Sequence, residues 1–157
     1  MDYVTPFISF MMECDALKQS TFFMDAAEAK KGHTQICTNS ADKTLDVEYT
    51  DGSIDRQIVF TLFDYRAVDY LGLVQEKLER DGNIENLVDV QSVIDWVDLQ
   101  NQQKHFPNFG DNYKVTRIES LYFAPQTPTI DKDGLAPAIA KYSIPIRIYF
   151  TDYTEAI

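Results

Sequence analysis

Four side chains in this 157-residue sequence are of the kinds that bind metals or attack substrates: Cys14, Cys37, His33 and His105. His33 and Cys37 stand four apart and would share a helix face, but the segment HTQICT has the character of a strand and no second pair of ligands follows. Without a second pair at ligand spacing a structural zinc site is not expected, and free, partly buried thiols are. A nucleophilic Cys-His couple would require the fold to bring distant residues together by chance. Carboxylates are more abundant, as Asp64 with Asp69, Glu76 with Glu79, and Asp131 with Asp133. Closely spaced carboxylates in polar segments are more often solvated surface than acid/base partners or divalent-ion ligands.

The phosphate-cradling and catalytic signatures are also missing. The six glycines are scattered singly, and neither GxxxxGK[ST] nor GxGxxG occurs. GxSxG, HExxH and CxxC are likewise absent. The expectation is a protein without catalytic residues, metal or cofactor.

Charge narrows the partners. With 25 acidic and 14 basic residues the net charge is -11, which disfavours wrapping nucleic acid or binding an anionic membrane, since both need a basic patch. The sequence contains no apolar run long enough to span a bilayer. Its amino end lacks the features of a signal peptide, so a soluble protein made in the cytosol is expected.

The elements that must position any site are clearest near the end. From Ala138 to Tyr153 every second residue, Ala140, Tyr142, Ile144, Ile146, Ile148 and Phe150, is apolar, as in a strand with one face in the core. Lys141, Ser143, Pro145, Arg147 and Tyr149 fall on the other face. Pro145 cannot donate to a ladder, so an edge or a bulge is expected there.

Upstream, Thr5-Pro6 reads as the start of a helix carrying Phe7, Phe10, Met11 and Cys14. Strands are expected over Thr21–Ala27, His33–Thr38, Thr44–Thr50, Ile54–Tyr65 and Lys114–Ala124, with Asp51-Gly52 turning a hairpin. Helices are expected around Tyr70, Leu71, Val74 and Leu78, and from Ile84 to about Gln102. The fold class is then α+β in a single domain over 1–157, a largely antiparallel four- to five-stranded sheet with two or three helices on one face. The connection from Pro125 to Pro137 is long for its position, with Ile130 and Leu135 its only large apolar anchors.

The order of DGSIDRQIVFTLF, VQSVIDWVDLQNQQ leading into HFPNFGDN, VTRIESLYFA and AKYSIPIRIYF resembles the tail terminator proteins of long-tailed phages. In phages of Gram-positive hosts these are often labelled minor capsid proteins. The resemblance spans Phe7 to Asp152 and rests on order, spacing and character. It implies a structural virion protein at the head–tail junction, assembled as a ring, usually of six copies, on the tail tube protein. Such a ring stops tube growth and docks the head–tail connector protein, and DNA is met only as it passes the channel, whose wall the acidic residues would line. Interfaces are expected at Lys141, Arg147 and Tyr149 on the last strand and at Ile130, Asp131, Asp133 and Leu135 in the loop. The alternative is a soluble α+β domain binding another partner, with a small-molecule-binding protein or an enzyme behind it.

Overall fold

The apolar alternation of the last strand finds its complement in Ile58, Phe60 and Leu62, and the two segments pair along their whole length. A computed structural model describes residues 2–24, 32–40, 43–67, 82–131 and 139–157. Among these, α1 is Val4–Met11, β1 Thr21–Met24, β2 His33–Ser40, β3 Val47–Glu48 and β4 Ile54–Ala67. They are followed by α2 over Gly82–Gln103, β5 Tyr113–Ser120, β6 Thr129–Asp131 and β7 Ile139–Asp152. Single 3₁₀ turns occupy Asp15–Leu17 and Lys43–Leu45.

The expected α+β class holds, but the sheet has seven strands rather than four or five, and it is mixed. Its order is β1-β2-β4-β7-β5, with β3 beside β4 and β6 beside β7. Only β1 and β2 run parallel. Antiparallel β4 and β7 pair without a bulge from Ile54↔Asp152 to Ala67↔Ile139. Each of these long strands is flanked on its other side by two shorter ones set end to end. β2 and β3 flank β4, while β5 and β6 flank β7.

The additional strands are short. β6 has three residues inside the expected loop, and β3 keeps two of the predicted strand over 44–50, whose start is instead a 3₁₀ turn. The hairpin is as expected: Tyr49 N–H donates to Ser53 O at 2.9 Å, and Gly52 has φ +87, a conformation that glycine adopts without strain.

Pro145 lies in an interior strand opposite Thr61, where no bulge interrupts the β4 ladder. Its backbone faces the other flank. Leu121 N–H donates to Pro145 O at 3.0 Å, and the return bond is the one proline cannot make. Regular pairing of β5 with β7 therefore ends at Ser120↔Ile146, and β6 takes up the flank again at Lys141. The expected edge is thus a local one, on one side of β7 only.

Both described helices pack on the inner face of the sheet. Phe7 of α1 stacks on Phe60 at 4.2 Å between ring centroids, and Phe10 meets Trp96 of α2 at 4.9 Å. Val90, Val93, Ile94 and Val97 of α2 join Ile118, Ile144, Ile146 and Ile148 in one buried cluster. Each such side chain is worth about 1.5–3 kcal/mol before entropy is subtracted. The helix expected around Tyr70, Leu71, Val74 and Leu78 lies outside the described residues. The amino-terminal cap differs from the expectation at Thr5-Pro6, because the Asp2 carboxylate accepts from the N–H groups of Val4 and Thr5 at 2.9 and 3.1 Å.

Candidate interaction surfaces

The chemically capable residues are dispersed by the fold. Cys14 is buried in the core, where burial raises its thiol pKa, and Cys37 lies on β2, so both thiols are free. Among the described residues no group of three or more His, Cys, Asp and Glu side chains is placed to hold a metal ion. Nor is any helix there long and apolar enough to cross a membrane. Asp64 is 2% exposed on the inner face and bonds Arg66 Nε at 2.8 Å, while the same guanidinium reaches Asp89 of α2 at 2.6 Å. Burial is the main cause that lifts the Asp64 carboxyl above its usual pKa, with the Arg66 charge opposing it. This network ties the end of β4 to α2. Glu76, Glu79, Asp69 and Asp133 fall outside the described residues.

One cleft combines polar and apolar walls. Pro6, Ser9 and Phe10 of α1 and Glu13 just after it face His105, Phe106 and Pro107 across a cavity of about 450 Å³. His105 Nε2 lies 2.6 Å from Glu13 Oε2, and both side chains are half exposed. The pair pins the segment after α2 against α1.

On the sheet's outer face the expected interface residues separate. Arg147 and Tyr149 join a network on β5 and β7, whereas Lys141 lies six residues away, about 20 Å along an extended strand. Its ammonium sits over the Phe63 ring at 4.0 Å. Ile130, on β6, is 44% exposed. Asp131 ends that strand, paired through its backbone with Ile139. Leu135, like Asp133, is outside the described residues.

The network has two members that the sequence reading passed over, Arg117 and Glu119. Tyr149 O–H donates to Glu119 Oε1 at 2.9 Å, and Arg117 NH2 donates to Glu119 Oε2 at 2.6 Å. Arg147 NH1 donates to the Tyr149 hydroxyl at 3.4 Å and stands 3.9 Å from Glu119. Arg147 Nε is buried and has no hydrogen-bond partner. Next to these, Asp55 accepts from Thr151 and from Tyr49, each at 2.7 Å. Val47, opposite Asp55, is 52% exposed and Tyr49 48%. These basic and aromatic side chains share the face that runs from β5 across β7 and β4 to β3.

A bulge hid Arg117 and Glu119. The β5–β7 register shifts between Val115 and Arg117, so inward positions change from odd to even numbers and simple alternation fails.

A second exposed surface lies on α2, opposite its buried stripe. Val88, Ser92, Asp95 and Leu99 are all exposed there, at helical spacing. Phe123, fully out in solvent, adjoins it, since Gln91 Nε2 donates both to Phe123 O at 3.1 Å and to Asp95 Oδ1 at 2.9 Å. Burial, together with the neighbouring Asp95 and Glu119 charges, raises the pKa of Asp98 on the same helix. The surface is therefore apolar with an acidic field.

Comparison with models of known protein families matches none of them, and comparison with curated proteins finds no match either.

Proposed function

We propose that this chain is a structural ring subunit of a phage tail, a terminator that caps the tail tube and presents the docking surface for the head. The observation that supports this reading best is the pair of unlike exposed surfaces just described. One, on α2 and Phe123, is apolar and acidic; the other, on the outer face of β5, β7 and β3, is aromatic and basic. Head-to-tail rings need two different patches on each copy, whereas a two-fold dimer uses one patch twice. Both patches expose large apolar side chains, Val88 and Leu99 on one and Val47 and Tyr49 on the other.

In this reading the partners are further copies of the chain, six in the family it resembles, with the tail tube protein below and the head–tail connector protein above. The protein acts in the virion and carries out no catalysis. DNA passes through the channel without being held, because a chain of net charge -11 repels phosphates. The loop that holds β6 is the proposed docking element. The decisive experiment is electron microscopy of the purified protein alone and with tail tubes. Rings, or caps on tube ends, are the expected outcome; a monomer that leaves tubes growing would sink the reading.

The cleft of about 450 Å³ between α1 and His105–Asn108 favours a second reading, a partner-binding α+β domain. Its apolar walls and Glu13–His105 pair suit a partner's side chain. Pull-down from tail preparations with a Glu13→Ala variant separates the two, since ring formation does not require this cleft.

A further inference from the structure

Near the β5 edge the outer face gathers three cations, Lys114, Arg117 and Arg147, around two carboxylates, Glu119 and Asp55. Asp55 is already engaged by two hydroxyls, and Glu119 by Arg117 and Tyr149. The cations of this cluster outnumber its carboxylates by one, and Arg147, with its side chain 33% exposed, reaches Glu119 only at 3.9 Å. The exposed edge of such a guanidinium is matched by a carboxylate in fork geometry.

The chain itself carries that group on its other exposed surface. Asp95 stands midway along the α2 stripe between Val88 and Leu99, and its carboxylate accepts from the neutral Gln91 amide at 2.9 Å. We infer that the α2 stripe of one copy seats on the Arg117–Arg147–Tyr149 face of a second copy, with Asp95 placed against the exposed edge of the Arg147 guanidinium. Val88 and Leu99 then cover the Tyr149 and Val47 side of the face, so apolar area is buried around the ion pair and water is excluded from it. The two patches consist of different residues. The contact is therefore heterologous and propagates from copy to copy, which rests on the ring reading and specifies the joint between its subunits.

The test is sedimentation velocity of the full chain at several concentrations, with circular dichroism as the folding control. Asp95→Lys and Arg147→Glu should each weaken association by about tenfold or more, as expected for one side of a desolvated charge pair. Arg117→Glu, whose parent side chain is 59% exposed, serves if Arg147→Glu fails to fold. Carrying Asp95→Lys together with the arginine reversal in the same chain should restore the multimer, because the pair is re-formed with its signs exchanged. A multimer that neither single reversal weakens would overturn this joint and leave the ring reading standing. A wild-type chain that stays monomeric at every concentration, with and without tail tubes, would overturn both.

Discussion

The two faces of the same sheet are built on different principles. On the inner face, Ile58, Phe60 and Leu62 stand opposite Ile148, Ile146 and Ile144, and all six are buried under α1 and α2. On the outer face, near the β5 edge, Glu119 accepts from Arg117 at 2.6 Å and from the Tyr149 hydroxyl at 2.9 Å, and these side chains remain partly wet. Apolar burial is non-directional and strong in sum, so it holds the subunit together. Partly exposed polar networks add little to stability, typically ~0–1 kcal/mol per ion pair, but they define which surface fits them. The inner face thus determines whether the chain folds, while the outer face can change with little effect on folding.

Substitutions can break that division or sharpen it. The largest effect is expected for Ile146→Asp, which places a charge at a fully buried position; cooperative thermal unfolding should be lost. A soluble variant with a sharp melt would refute the assignment of this face. Phe60→Ala removes the ring stacked on Phe7 and should cost about 3–5 kcal/mol in urea unfolding. Asn101→Ala is a test at the boundary between the faces. The Asn101 Oδ1 accepts from Ile118 N–H at 3.1 Å and so closes the β5 edge under α2, and its loss should cost about 1–3 kcal/mol. A change below the error of the measurement would mean that water replaces the amide.

A smaller effect is expected from pH. Burial raises the folded-state pKa of Asp64, so between the ordinary carboxylate range and that raised value the folded chain holds a proton that the unfolded chain has released. Stability from this group is accordingly highest at low pH and falls as pH rises through the window. In Asp64→Asn this component of the slope should vanish, which a series of urea midpoints upward from about pH 4 would detect. The smallest effect belongs to the outer face: Arg117→Glu should leave the midpoint within about 0.5 kcal/mol of wild type. A larger loss would show that this network is structural after all.

Legibility in the sequence follows the same division. The alternation in β7 and the Asp51-Gly52 turn were readable because each is local and period two survives along an unbulged ladder. β6 was not, since three residues in a polar connection carry no period. The parallel pairing of β1 with β2 was equally hidden, because strand direction depends on the connection between strands. Of the expected interface residues, Arg147 and Tyr149 share a network, while Lys141 stands apart over Phe63; one strand face was read as one patch, although extended backbone spreads it over tens of ångströms. Arg117 and Glu119 were lost to the bulge, and the α2 stripe because Val88 and Leu99 resemble core residues in composition.

The β4–β7 ladder also governs when the fold can form. Even its closest pair in sequence, Ala67 with Ile139, is separated by the whole segment that carries α2, β5 and β6. The centre of the sheet is therefore its least local part, and closing it costs chain entropy before any contact compensates. Proteins dominated by such pairings fold in about milliseconds to seconds, slower than helical bundles of similar stability. During synthesis β4 must wait, with the edge that β7 will cover still open, until α2, β5, β6 and then β7 have been made. Refolding that is single-exponential and slow, with inner and outer faces reporting the same rate, is the kinetic signature of a sheet whose middle closes last.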